Sequence, residues 1–236
     1  MRRAFKPRPP TLLTRARDTV CFMTQLLAPA ALISQVTTSL DELREQLRGV
    51  PFEKYAAPSS LPGWSTAQLI AHLASLAKAA RRQFEHAGEE TAPEMYDGGA
   101  AGRMEAINMT ALMRPEALAE LADTALAELR EVLPSAEAKW EQPVGYRPGA
   151  KVADMMYATW REMLIHATDL DEFVRPASTW PAEFSEHLLR ALAARVPAED
   201  RLVCQRCGRR YPLHESWPVL IPEEAELPAE SKTDAP

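Results

Sequence analysis

The 236-residue sequence has few cysteines, no excess of positive charge and no long apolar run. Three cysteines, Cys21, Cys204 and Cys207, are too few and odd in number for a disulfide framework, which favours a reducing cytoplasm. The 27 Lys and Arg are outnumbered by 33 Asp and Glu, so a surface that follows nucleic acid phosphates is not expected. No stretch reaches the roughly 18 apolar residues of a membrane-spanning helix. These absences indicate a cytoplasmic protein whose partners are neither nucleic acids nor membranes.

The two ends of the chain differ in composition from the part between them. The first 22 residues contain six Arg or Lys and Asp18 as their only acid. We expect residues 1–25 to be disordered or to precede a true start at Met23, although "VCFMTQLLAPAALIS" also has features of a secretory signal. Residues 223–236 are acidic and contain proline, which predicts disorder. Hydrophobic residues make up 46% of the whole chain, enough for a substantial core.

Apolar residues at helical spacing predict a series of α-helices within residues 26–175. Ser65 and Gln68 form a predicted capping box at the start of one helix, and Pro115 occupies the first position of another. The predicted helices span residues 32–47, 66–86, 103–112, 115–133 and 151–173. Because four or five such antiparallel helices are joined by short connections, the pattern predicts a helical bundle.

Residues 176–222 are predicted to form a small appendage of one helix and a β-hairpin. The helix corresponds to "AEFSEHLLRALAARV", and the runs "RLVC" and "RYPL" flank a turn at Gly208. Cys204 and Cys207 have the spacing of half a zinc ribbon, with His214 as a candidate third ligand. The alternatives are two reduced cysteines at a hairpin turn or a redox pair. The fold class is therefore mainly α, a bundle with a short α+β C-terminal appendage.

A line of polar residues occurs in "WREMLIHATDLD", residues 160–171, within the last predicted bundle helix. Glu162, His166 and Asp169 follow one another at spacings of four and three residues, which places them on one side of a helix. His72 lies on the apolar stripe of the helix 66–86. A buried carboxylate costs several kcal/mol unless it is paired or coordinated. These polar groups therefore need a partner.

A divalent cation held by His72, Glu162 and His166 would satisfy all three groups. Two histidines and one carboxylate are a recurrent ligand set of catalytic zinc, and the set also suits iron, nickel or manganese. Asp169 would then orient a ligand imidazole or hold an arginine. The alternative is that both histidines are hydrogen-bonded core residues and that Glu162 pairs with an arginine, Arg161 or Arg103.

Three segments, "LPGWSTAQLIAHLA", "GRMEAIN" and "VGYRPGAKVADMMYATWREMLIHATDLD", resemble successive signatures of the mycothiol-dependent maleylpyruvate isomerase family, within the DinB/YfiT-like metalloenzyme superfamily. The resemblance extends over residues 32–173. It implies a DinB-like antiparallel four-helix bundle that holds a divalent metal, usually zinc, through His72, Glu162 and His166. It further implies that Arg103 and Asp169 contribute to the active site.

The resemblance predicts a metal-dependent enzyme that uses a low-molecular-weight thiol, mycothiol, for isomerisation or S-transfer on a small electrophile. The alternative is a non-catalytic metal- or ligand-binding bundle with a stress-response or regulatory role. Either protein would be a monomer or a homodimer. The loop "YDGGAAGR" is expected to form an active-site rim or a plain connection, and "ARRQFEH" is expected to form a solvated helix face.

Overall fold

The computed structural model describes residues 27–170 and 176–193, together with the strand residues 202–203, 210–211, 213–214 and 217–218. The expected N-terminal extension, the acidic tail, Cys204 and Cys207 lie outside this part of the chain. The helices are α1 (Pro29–Arg48), α2 (Thr66–Glu85), α3 (Gly99–Thr110), α4 (Pro115–Val132), α5 (Val152–Thr168) and α6 (Ala182–Ala193), and short 3-10 helices span Phe52–Lys54, Leu133–Lys139 and Ala177–Thr179. In the described part, no helix has the length and apolarity needed to cross a bilayer.

Four of these helices form a bundle, which confirms the predicted fold class. Both α1 and α2 pack against α4 and α5, and α3 packs against the outside of α2. The core between them is aromatic and aliphatic. Its largest fully buried side chains include Trp160, Tyr157, Phe84, Phe184, Leu32, Leu40, Leu43, Leu69 and Ile70.

Ion pairs near the surface show the relative direction of α1 and α4. Arg130, late in α4, donates to Asp41 at 2.6 Å, whereas Asp123, earlier in α4, accepts from Arg44 at 2.9 Å. The later residue of one helix thus meets the earlier residue of the other, so the two helices run antiparallel. Each exposed pair contributes less than about 1 kcal/mol, and its main effect here is on register.

Backbone hydrogen bonds at both ends hold α2 against α5. At one end the Ser60 amide donates to the Asp169 carbonyl at 2.9 Å, just before α2 begins and just after α5 ends. At the other end the Gly88 amide donates to the Pro143 carbonyl at 3.0 Å, after α2 and before α5. These bonds make α2 and α5 antiparallel neighbours, which places the start of α2 beside the last turns of α5.

The predicted caps are confirmed, and one predicted surface is wrong. The Gln68 amide donates to Ser65 Oγ at 3.2 Å and the Ser65 amide donates to Gln68 Oε1 at 2.9 Å, which completes the capping box. Pro115 opens α4. The segment "ARRQFEH" is not a fully solvated face, because Gln83 and Phe84 are only 1% and 0% exposed. The apolar stripe of α2 continues through them to the end of the helix.

The third helix begins four residues earlier than predicted, so five of the eight residues of "YDGGAAGR" are helical. Gly98 caps α3 with φ 72°, a left-handed conformation that glycine adopts without strain. A Cβ added to Gly102 would lie 2.1 Å from the Asp97 carbonyl oxygen, so no larger residue fits without moving the backbone. The glycines therefore permit a tight turn of the chain into α3. From composition alone, a glycine-rich segment of this kind is expected to form a loop.

The C-terminal region contains the expected helix and hairpin. Strand β1 (Leu202–Val203) pairs antiparallel with β2 (Arg210–Tyr211), within the two runs predicted to flank a turn. A second short ladder joins β3 (Leu213–His214) to β4 (Trp217–Pro218), which the sequence did not indicate. Helix α6 packs on the bundle through His187, which stacks on Tyr157 with ring centroids 4.3 Å apart.

The stability of the fold is expected to decrease as the pH falls from 6.5 to about 4, because of His187. Burial, and then the charge of Arg161, lower the pKa of this histidine from 6.5 to about 4. In that window the unfolded chain binds a proton that the folded chain does not, so acid favours unfolding by up to about 3 kcal/mol. Urea unfolding of the wild type and of His187→Asn at pH 7 and pH 4.5 measures this difference. An equal loss of stability in both proteins would contradict it.

Candidate metal centre

The structure brings His72, Glu162 and His166 together, as the sequence predicts. Glu162 Oε2 lies 3.3 Å from His72 Nε2 and 3.4 Å from His166 Nε2. One potential ligand atom from each residue lies within 4.8 Å of the other two. His72 is 1% exposed, whereas the Glu162 carboxylate is partly open to solvent. The cluster therefore has a buried base and one accessible side.

The antiparallel contact of α2 and α5 explains why these residues meet. His72 lies in the second turn of α2, and Glu162 and His166 lie one turn apart in the second half of α5. Trp64, which precedes the capped start of α2, packs edge-on against the His72 ring with centroids 5.8 Å apart. Packing and the capping box thus fix the position of His72 before any ligand binds.

Hydrogen bonds keep Glu162 ionised. Burial alone would raise its pKa, but hydrogen bonds from His166 and His72, and their charges, outweigh burial and lower the pKa below the usual glutamate range. A carboxylate that stays ionised at neutral pH is ready to bind a cation.

The two histidines respond differently to their surroundings. Burial lowers the pKa of His72, and the positive charges nearby add to that effect. Burial also lowers the pKa of His166, but hydrogen bonds to the Glu162 and Asp169 carboxylates outweigh it and raise the pKa overall. The two carboxylates thus favour the protonated form of His166. A divalent cation would displace that proton.

Asp169 and Arg103 each contact one histidine of the cluster. Asp169 Oδ2 lies 2.8 Å from His166 Nδ1, so that nitrogen donates its proton to Asp169 and Nε2 faces Glu162. The Arg103 guanidinium lies 3.1 Å from His72 Nδ1 and packs over the Tyr96 ring. Of the two arginines considered as partners of Glu162, Arg103 contacts His72, and Arg161 donates to His187.

The donor set fits a zinc-like ion. Bonds of about 2.0–2.1 Å in a tetrahedron separate neighbouring ligand atoms by about 3.4 Å, close to the two distances measured from Glu162. The carboxylate is ionised, and Asp169 holds the His166 tautomer that leaves Nε2 to coordinate. Three protein ligands leave a coordination position for water or substrate.

A cavity of about 480 Å³ borders the cluster on its accessible side. Glu162 and Arg103 form part of its wall. We call it the metal-side cavity; its remaining lining residues are Leu76, Glu94, Met95, Tyr96, Gly99, Ala100, Gly145, Tyr146, Met155 and Ala158. Sequence reasoning considered "YDGGAAGR" as a rim but did not single out Tyr96 or Tyr146. Tyr146 lies in the third signature segment, which is the signal that could have identified it.

Asp169→Asn is expected to weaken metal binding by about 10- to 100-fold, because an amide does not raise the basicity of His166 as a carboxylate does. Competition titration with a chromophoric chelator measures the affinity. The matched control is Asp123→Asn, which removes a partly exposed carboxylate that pairs with Arg44 and lies outside the cluster. Equal affinities in the wild type and in Asp169→Asn would show that Asp169 does not support a metal ligand.

Comparisons with known proteins found a family model and two crystal structures that are similar to this chain. The model of the family described as "Mycothiol maleylpyruvate isomerase N-terminal domain" matches residues 36–171. A crystal structure of the mycothiol-dependent maleylpyruvate isomerase is 25% identical, with a TM-score of 0.64 over 79% of this chain and 80% of that chain. A structure of a histidine-to-alanine mutant of that enzyme matches at 24% identity with the same TM-score and coverage. No curated protein matches the chain significantly.

Proposed function

The chain belongs to the family of the mycothiol maleylpyruvate isomerase N-terminal domain, and from that premise we propose that it is a metal-dependent enzyme that uses mycothiol to isomerise a small electrophile. His72, Glu162 and His166 hold the metal, and Arg103 and Asp169 complete the active site. The observation that carries the proposal is the cluster of these three residues, of which Glu162 lines a cavity of about 480 Å³.

A divalent cation bound at this site lowers the pKa of a coordinated thiol, so that thiolate is available at neutral pH. The residues around it position the reactants. Asp169 holds the orientation of His166, and buried His72 anchors the cluster to α2. The tyrosines and Met95 of the metal-side cavity provide an apolar surface that limits access of water to the reacting carbon.

Arg103 is assigned to the substrate. If His72 held a metal through Nε2, its proton would reside on Nδ1, where Arg103 could no longer donate a hydrogen bond. The guanidinium would then be free to bind a carboxylate or to stabilise negative charge that develops next to a reacting double bond. Addition of the thiolate, rotation about the resulting single bond and loss of the same thiolate convert cis to trans with no net change in composition.

The two alternatives to isomerisation are S-transfer and metal binding without catalysis. Addition without elimination would make the protein a thiol S-transferase, which shares the same site. A non-catalytic metal-binding bundle would need no access for substrate, whereas Glu162 borders an accessible cavity, which favours catalysis. A free thiol cofactor and the small number of cysteines favour a reducing cytoplasm as the compartment.

The test combines spectroscopy with an assay. Mycothiol added to cobalt-substituted protein is expected to produce a sulfur-to-metal charge-transfer band, and maleylpyruvate is expected to be isomerised only when mycothiol is present. The variant Glu162→Gln, which lacks one of the proposed metal ligands, should show neither the charge-transfer band nor isomerisation. An unchanged cobalt spectrum would overturn the thiol-dependent proposal, and a band with conjugate formation instead of isomerisation would establish the S-transferase.

A further inference from the structure

A second cavity, of about 290 Å³, lies on the other side of Arg103 and carries an excess of positive charge. We call it the basic cavity; its lining residues are Ser75, Lys78, Ala79, Arg82, Met95, Tyr96, Asp97, Gly102, Arg103 and Ala106. Met95, Tyr96 and Arg103 belong to both cavities and form the wall between them. The close approach of Gly102 to Asp97 brings the start of α3 onto this wall.

Two of the three cations in the basic cavity lack a carboxylate partner. Arg82 donates to Asp97 at 2.9 Å and also to the carbonyl oxygens of Glu94 and Met95, so its charge is compensated. In the described part of the chain, Lys78 has no hydrogen-bond or ion-pair partner. Arg103 contacts the ring nitrogens of His72 rather than an acid.

The two cavities therefore have opposite electrostatic character. The metal-side cavity contains the carboxylates Glu94 and Glu162 against the single cation Arg103, whereas the basic cavity contains three cations against Asp97. Without a bound cation, a carboxylate is attracted to the basic cavity and repelled by the metal-side cavity. A cation at the cluster would reduce that repulsion but would leave the excess positive charge of the basic cavity unchanged. Two donors that do not compete with an internal acid are the arrangement that binds an anionic ligand.

The basic cavity also lies next to the metal cluster. Ser75 follows His72 by three residues on α2 and Lys78 follows Ser75 by three more, so Ser75 lies between buried His72 and exposed Lys78 around the helix. Arg103 connects the two sites directly, because its guanidinium contacts both His72 and Tyr96. A molecule a few carbon atoms long that binds an anionic end here could present its other end to the metal-side cavity.

We propose that the basic cavity binds the carboxylate of a small acidic electrophile through Lys78 and Arg103, and so selects acidic over neutral substrates. This inference rests on the proposed function for its catalytic meaning, but binding of the anion does not require turnover. Lys78 holds the carboxylate from the solvent side, while Arg103 is shared between the carboxylate and the reacting centre. The Arg82–Asp97 pair supports the wall.

The test measures binding of maleate by calorimetry to the metal-loaded wild type and to Lys78→Gln, which removes the charge of an exposed side chain. The affinity is expected to fall by about tenfold in Lys78→Gln. Arg114→Gln removes a similar exposed charge that lines neither cavity, and it should leave the affinity unchanged. Inorganic phosphate at the same concentration serves as the comparison anion and should compete with maleate less well in the wild type.

Further measurements distinguish failure of this inference from failure of the proposed function. Maleate should still bind to protein stripped of metal by a chelator; loss of binding there would place the carboxylate on the metal and overturn the inference. With isomerase activity present, Lys78→Gln should raise KM for maleylpyruvate with little change in kcat. An unchanged KM and unchanged maleate affinity would overturn the inference while the proposed function stands. Lys78-dependent binding in a protein without isomerase activity would support the cavity and reject the function.

Discussion

Replacing His166 by alanine is expected to remove bound metal and, with it, all thiol-dependent activity. The variant loses one of three protein ligands and the partner through which Asp169 supports the site. Metal analysis should find about one divalent ion per chain in the wild type and almost none in the variant. Circular dichroism verifies that the helices remain, because His166 is only partly buried in the last turn of α5.

His86→Ala is the matched control for this experiment. His86 follows α2 directly and contacts Glu89 at the surface. It therefore makes a histidine–carboxylate contact of the same kind as those in the cluster, but at a different place. Its loss should leave metal content unchanged. Equal metal content in His166→Ala and in the wild type would reject the assigned ligand set, and the cluster would then be a group of mutually hydrogen-bonded core residues.

Replacing Arg103 by methionine is expected to lower kcat/KM for an acidic substrate by about 100- to 1000-fold while metal content is retained. The guanidinium lines both cavities and contacts His72, but it is not a metal ligand. Arg103→Lys should recover part of the loss through its charge, although it lacks the planar donors that bind a carboxylate in two places.

Arg48→Met provides the control for loss of an arginine. Arg48 is exposed at the end of α1 and pairs with Glu45 and Asp123, away from the metal cluster. It should retain the activity of the wild type. If Arg103→Met also retains that activity, the arginine has no role in the reaction, and its contact with His72 is structural only.

The parts of the fold that depend on local chemistry could be predicted from the sequence. Ser65 and Gln68 define the start of α2 because side-chain and backbone atoms three residues apart satisfy each other. The positions of Glu162 and His166 on one side of α5 follow from helical periodicity alone. Their meeting with His72 does not follow from periodicity, since it depends on which helices are neighbours. The family resemblance supplied that information.

Features that depend on tertiary contacts could not be predicted from the sequence. The start of α3 at Gly99 follows from a left-handed Gly98 and the close approach of Gly102 to Asp97, whereas a glycine-rich segment alone suggests a loop. Gln83 was expected at a solvated face, yet it is buried against the segment that contains Pro93. The two cavities are formed by residues distant in sequence, so neither Tyr96 nor Lys78 carried a signal before the structure placed them.

The hydrogen bond between the Ser60 amide and the Asp169 carbonyl has a kinetic consequence for the site. It joins the segments next to His72 and His166, so separating the helices α2 and α5 at this end requires the bond to open. Amide hydrogen exchange at Ser60 therefore reports that opening. Because a bound ion would hold the same two helices together, amide exchange at Ser60 should slow when metal is added. If metal release requires the helices to part, the rate of release cannot exceed the rate at which this hydrogen bond opens.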